Sequence, residues 1–241
     1  PTITESAQRG DRFPVFPTSD LGGVGLLICY DMVFPEAPRC LALAGADILF
    51  APTAAQLYPK GFTVRIEPGA VARRWEGRRR PGHFSGVATV VAKLCHLTQP
   101  SDAYFGQKDY QQTLVVRQMI RDLDLPIRLH VLPTVREADG LAMSSRNRYL
   151  SPWQRRQAAA LPRALAAARG AIRAGERRST VLAAAMRRII AAQPNTRVDY
   201  IAVVDAATLV PQRRVRGRTI LLLAVHVGRT RLIDNLLVDV S

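Results

Sequence analysis

Arg80-Pro81-Gly82-His83-Phe84-Ser85-Gly86, Gly106-Gln107-Lys108-Asp109-Tyr110-Gln111-Gln112 and Asp139-Gly140-Leu141-Ala142-Met143-Ser144-Ser145-Arg146-Asn147-Arg148 are three polar clusters within one stretch, residues 80–150. Each is set against an apolar run: 87–97, 113–120 and 127–135. Ordinary connections between elements are short and need few functional groups. These clusters instead gather Lys, Arg, His, Asp, Gln and paired Ser where a parallel α/β sheet places its strand ends, and ligands bind there.

Outward from the clusters, periodicity predicts the elements between them. Val87, Val90, Val91 and Leu94 share one helical face over 84–97. A strand at 103–105 enters the second cluster, a helix follows over 111–123, and a strand over 127–132 leads to the third. Upstream, 62–66 reads as a short strand, and 71–76 as a helix stopping at Gly77. Further upstream, strands at 24–30 and 47–52 flank a helix at 35–45 that opens on Pro35 and stops at Gly45. They predict one right-handed parallel β-α-β unit. Residues 1–20 are polar and turn-rich, without periodicity.

Downstream lies a separate unit. Ser151-Pro152 is an N-cap and N1 pair. It opens a helix to about residue 174, stopped by Gly175; a second helix runs from Ser179 to just before Pro194. Strands follow at 198–204, 219–226 and 235–240. This predicts an α+β domain closing over the ligand site, hinged at 143–148.

Composition narrows the function classes. The 241 residues are 48% hydrophobic, enough for a substantial core, and no apolar run reaches membrane-spanning length. Cys29, Cys40 and Cys95 have neither metal-ligand nor disulfide-framework spacing, which favours a reducing cytoplasm. The net charge is +15, which invites a nucleic-acid reading. Only Lys60, Lys93 and Lys108 are lysine, however, and the other basic residues are Arg in an Ala-rich chain. That pattern fits a coding bias and a solvated, anion-attracting surface, so neither nucleic acid nor membrane is expected as a partner.

Two resemblances follow from the motifs. Gly25-Leu26-Leu27-Ile28-Cys29-Tyr30-Asp31-Met32-Val33-Phe34-Pro35-Glu36 resembles the nitrilase (carbon–nitrogen hydrolase) family over about 10–53, with Cys29 at the nucleophile position. That chemistry also needs a Glu base and a Lys from upstream. Here Glu5 is the only upstream Glu and no Lys precedes Cys29. A buried structural cysteine is the simpler reading.

The three clusters together, with Pro133-Thr134-Val135-Arg136-Glu137-Ala138 and the terminal Thr230-Arg231-Leu232-Ile233-Asp234-Asn235, resemble the pantoate–β-alanine ligase family over about 47–241. The resemblance implies a truncated doubly wound, Rossmann-like parallel sheet of the nucleotidyltransferase type, with a smaller C-terminal α+β domain. The implied domains are 1–46 completing the sheet, 47–142 as the rest of the nucleotide and pantoate domain, and 143–241 as the lid. It also implies ATP-dependent condensation of pantoate with β-alanine through a pantoyl-adenylate, with Mg²⁺ bridging phosphates, in a homodimer. Lys108 and Arg146 would be catalytic. Lys108, Ser144, Ser145 and Arg146 would hold phosphates and Asp109 the ribose hydroxyls. Gly106, Gln107, Val135 and Met143 would complete the nucleotide site. Gln112, with His83 and Arg80, would bind pantoate. Gln107 stands where the family usually has Glu. The family's His-x-x-His phosphate turn and its second pantoate-binding Gln are not found in these residues. Impaired ligase activity is therefore expected, the alternatives being an amide hydrolase using Cys29 or an inactive nucleotide-binding module.

Overall fold

In the computed structural model, residues 15–18, 22–25, 48–49 and 52–240 are described, the first three segments through their backbone. The chain divides into two compact units, Pro1–Thr63 and Val64–Ser241. In the first, β1 (Val15–Thr18) pairs antiparallel with β2 (Gly22–Gly25), and β2 pairs parallel with β3 (Ile48–Leu49). The polar 1–20 segment thus contains a strand that its composition does not announce. Val24 faces Phe16 on one side and Ile48 on the other. The parallel β2–β3 pair agrees with the expected crossover, whose helix at 35–45 lies outside the described residues, as does Cys29. A short helix α1 (Ala54–Leu57) follows, closed by a capping box in which Thr53 and Gln56 bond each other's backbone N–H.

The second unit carries the clusters. After a 3-10 turn at Ala70–Arg73 come α2 (Trp75–Arg79), α3 (His83–Thr98), β4 (Asp102–Gly106), α4 (Tyr110–Asp122) and β5 (Arg128–Leu132). Strands β4 and β5 pair in parallel, from Asp102 opposite Arg128 to Gly106 opposite Leu132. Helix α3 buries Phe84, Val87, Ala88, Val91, Ala92 and Cys95, the three-and-four spacing of an amphipathic helix. The segment 62–66 is not a strand. Instead the Ile66 N–H donates to Thr89 Oγ1 and the Ile66 carbonyl accepts from Ser85 Oγ, so it is tied to α3.

Gly77 is not a helix stop but an interior residue of α2. A Cβ there would sit 1.6 Å from the Ala72 carbonyl oxygen. The backbone of the preceding turn occupies the space a side chain would need. Gly77→Ala is expected to cost at least about 2 kcal/mol, through forced backbone displacement, read as a lower urea midpoint with an unchanged slope.

The C-terminal region is a three-stranded antiparallel sheet of β6 (Thr196–Asp205), β7 (Gly217–Val227) and β8 (Thr230–Val240), with β7 central. The single helix expected to residue 174 is two, α5 (Pro152–Ala158) and α6 (Ala160–Arg173), broken at Ala159; α7 is Ser179–Ala191. Ser151 caps α5 with Gln154 in a capping box, as the Ser-Pro pair predicts. One sheet face, through Val203, Leu221, Leu223 and Val225, packs on Leu161, Leu165, Leu182, Met186 and Ile190 of α6 and α7. The other, through Ala202, Val204, Ile220 and Leu222, packs on Tyr110 and Leu114 of α4, with Val71 and Trp75 beside them. Burial on both faces explains why 220–225 is an unbroken apolar run rather than an alternating one.

Candidate active site

The second cluster lies where β4 ends. Gly106 closes the strand with φ −75°, and Gln107–Asp109 forms a 3-10 turn into α4. This turn sets Lys108 and Asp109 on the wall of a cleft, and Lys108 Nζ lies 3.6 Å from Asp109 Oδ2. The two glutamines that follow divide their work. Gln111 is buried; its Nε2 donates to the carbonyls of Val71 and Arg74, and its Oε1 accepts from the Glu76 N–H. It therefore fixes the approach to α2. Gln112, next along the helix, faces a cleft.

That cleft is lined by Arg80, His83, Lys108, Asp109 and Gln112, with Glu76, Tyr200, Asp234 and Asn235. The first two clusters thus meet around one cavity. Gly82, at φ 76°, turns the chain into α3 and places His83 in its first turn. Arg80 Nη1 donates to His83 Nε2 at 2.9 Å. Burial, then the Arg80 charge, lowers the His83 pKa, so the imidazole is held neutral with its accepting nitrogen occupied.

The third cluster is a braced hairpin. The Val135 carbonyl accepts from the Met143 N–H at 2.9 Å, and Arg136 pairs with Ala142. Arg155 grips both Glu137 and Asp139. Ser144 caps the following 3-10 turn by accepting from the Arg146 N–H, and the Arg146 guanidinium donates to the Arg231 carbonyl at 3.2 Å. Of the expected nucleotide-site residues, Gly106, Gln107, Val135, Met143, Ser144, Ser145 and Arg146 are not part of the cleft lining.

Several lining groups were missed from sequence. Glu76, read as the end of a helix, receives two hydrogen bonds from Arg231 at 2.8 and 2.7 Å and one from Tyr200 at 2.8 Å. Arg231 also bonds Asp199, which Arg79 reaches at 3.1 Å. Asp234 takes a two-pronged contact from Arg136 at 2.8 and 3.0 Å. The signal was present: Arg231, Asp234 and Asn235 stand among Leu232, Ile233, Leu236 and Leu237 on one strand, and buried polar groups on such a strand need specific partners. Among the described residues, no three His, Cys, Asp or Glu side chains come together to hold a metal ion. No helix of the described residues is long and apolar enough to cross a membrane.

The profile of the Pantoate-beta-alanine ligase family matches residues 28–237. The chain belongs to this family. It is 52% identical over 207 residues to the pantothenate synthetase of Moorella thermoacetica, covering 86% of this chain and 73% of that protein. Identity to the pantothenate synthetase of Roseiflexus castenholzii is also 52% over 207 residues, with 85% and 74% covered. The crystal structure of pantothenate synthetase from Thermus thermophilus superposes with a TM-score of 0.79 at 47% identity, over 83% of this chain and 73% of that one. Pantoate-beta-alanine ligase from Francisella tularensis, complexed with beta-gamma ATP and beta-alanine, gives 0.64 at 32% identity, over 84% and 69%. These likenesses confirm the two-part α/β architecture. They also correct the expected boundary. The ligase match starts at Ile28, not near Asp47, and so takes in most of the phrase that resembles carbon–nitrogen hydrolases. The hydrolase reading gains no support from them.

Proposed function

We propose that the cleft joins pantoate to β-alanine with ATP through a pantoyl-adenylate. The observation that carries this is the meeting of Lys108, Asp109, Gln112, His83 and Arg80 around one cavity. A pantoate carboxylate oxygen attacks the α-phosphorus, and the bond to the leaving pyrophosphate breaks. The β-alanine amine then attacks the acyl carbon, loses a proton, and AMP departs with the former carboxylate oxygen. The protein's task is positioning and charge neutralisation.

In this reading Lys108 neutralises the phosphates from the cleft wall and Arg146 from the rim, with Ser144 and Ser145 supplying hydroxyls. Asp109 receives the ribose hydroxyls beside Gly106 and Gln107, and the backbone at Val135 and Met143 borders the nucleotide. Gln112, Arg80 and the neutral His83 orient pantoate. The cleft supplies no cage of carboxylates, so Mg²⁺ fits only as an ion that enters with the triphosphate. The division at 142/143 then separates a nucleotide and pantoate half from a closing half, in a cytoplasmic homodimer.

These 241 residues contain no His-x-x-His sequence. The polypeptide alone is therefore expected to turn over below the roughly 1–10³ per second of ordinary enzymes. The test is AMP formation by purified protein with both pantoate and β-alanine, beside ammonia release from simple amides. Slow AMP formation requiring both substrates supports the ligase. Ammonia release, or AMP formation indifferent to pantoate, overturns it.

A further inference from the structure

We propose that Asn235 is a positioning residue for the nucleotide phosphates, acting by holding the turn that carries Lys108. The inference rests on the reading of the cleft as an ATP site.

Asn235 is 3% exposed on β8. A buried amide on an apolar strand is costly unless its hydrogen bonds are made. All its side-chain bonds go to one turn. Nδ2 donates to the Gln107 carbonyl at 3.0 Å and to the Lys108 carbonyl at 2.8 Å, and Oδ1 accepts from Gln107 Nε2 at 3.3 Å. An amide nitrogen has two donors, and here both are spent on consecutive carbonyls at the base of the Lys108 side chain. That turn is thereby fixed against β8 and not only against its own helix.

The residue before Asn235 does the matching work on the other side. Asp234 holds Arg136 of the third-cluster hairpin, and its Oδ1 also accepts the Asn235 N–H at 2.8 Å. Two consecutive residues of one strand therefore set the second and third clusters against each other. The pairing also gives Gln107 a purpose. A carboxylate there could not donate to Asn235 Oδ1, so the third bond of the latch needs an amide at position 107, while the two to main-chain carbonyls do not depend on that side chain. A neutral Gln107 further leaves the Lys108 charge opposed at close range by Asp109 alone among its chain neighbours.

The test is calorimetric titration of the purified chain with Mg·ATP at several salt concentrations, for Asn235→Ala, Gln107→Met and the double variant. Asn235→Ala is expected to weaken ATP binding about tenfold and Gln107→Met about threefold, from the loss of three and one of the bonds that hold the turn. The double variant should lose no more than Asn235→Ala, because the two residues act through one latch. The salt dependence should flatten in each, as the Lys108 contact is lost. Unchanged ATP affinity in Gln107→Met and Asn235→Ala overturns the proposal, as does weakened binding with the original salt dependence. If Asn235→Ala does not fold, Gln107→Met alone decides. An unmutated chain that binds no Mg·ATP removes the ATP reading itself, and is seen before any variant is compared.

Discussion

Lys108→Ala is expected to slow pantoate-dependent adenylation by about 10²–10³, the usual consequence of removing one preorganised charge-stabilising donor. The side chain is 22% exposed and stands on a turn pinned by Asn235, so its ammonium is partly desolvated and directed before any ligand arrives. Folding should be untouched, because its ion pair with Asp109 is half in water and contributes little. The measurement is pantoate-dependent exchange of pyrophosphate into ATP, beside thermal unfolding. A variant with the parent's exchange rate would remove the basis for placing phosphates at this cluster.

Arg231→Leu is expected to destabilise the protein by about 3–5 kcal/mol, because it strands Glu76 as a buried carboxylate without its partner. The Glu76 side chain is 9% exposed and that of Arg231 18%, so solvent cannot compensate. A second change, Glu76→Gln, removes the stranded charge and should restore part of the loss. Urea unfolding of the two singles and the double gives the coupling; independent, additive effects would count against the network. The pair also predicts an acid response. Burial alone would raise the Glu76 pKa, but the hydrogen bonds and charge of Arg231, with the Tyr200 hydroxyl, leave it lowered. A carboxyl depressed in the folded state contributes stability that is fully present above its unfolded pKa, near 4.3. That contribution is lost as pH falls through the folded value. Arg231→Leu should flatten stability against pH below about pH 4 relative to the parent.

What the sequence made legible follows the range of the forces involved. Local periodicity located α3, α4, β4 and β5, and the solid apolar run at 220–225 marked the centre of the C-terminal sheet. The three polar clusters were visible because strand-end chemistry differs from ordinary loop composition. The break between α5 and α6 was hidden, since Ala159 is a good helix former on both sides of it. Gly77 was misread because glycine ends helices often, while here the conflict is with a carbonyl five residues back, a matter of packing. The segment 62–66 has strand-like residues whose backbone is claimed by Ser85 and Thr89. Glu76 and Arg231 are 155 positions apart, and no local rule pairs them. For the site, sequence supplied Lys108, Asp109, Gln112, His83 and Arg80, but not that Asp234 and Asn235 hold the clusters together.

The sandwiching of β6–β8 between α6–α7 and α4 bears on how the chain is made. Synthesis delivers β8 last of all the described elements, and β8 carries Arg231, Asp234 and Asn235. A nascent chain still short of residue 230 has every lysine and glutamine of the cleft but not the strand that seats them. Until then Tyr110 and Leu114 lack part of the surface that buries them. The Lys108 turn should therefore be seated only once residues 230–240 have left the ribosome, and a chain stopped before residue 230 should carry the second cluster without the strand that holds it.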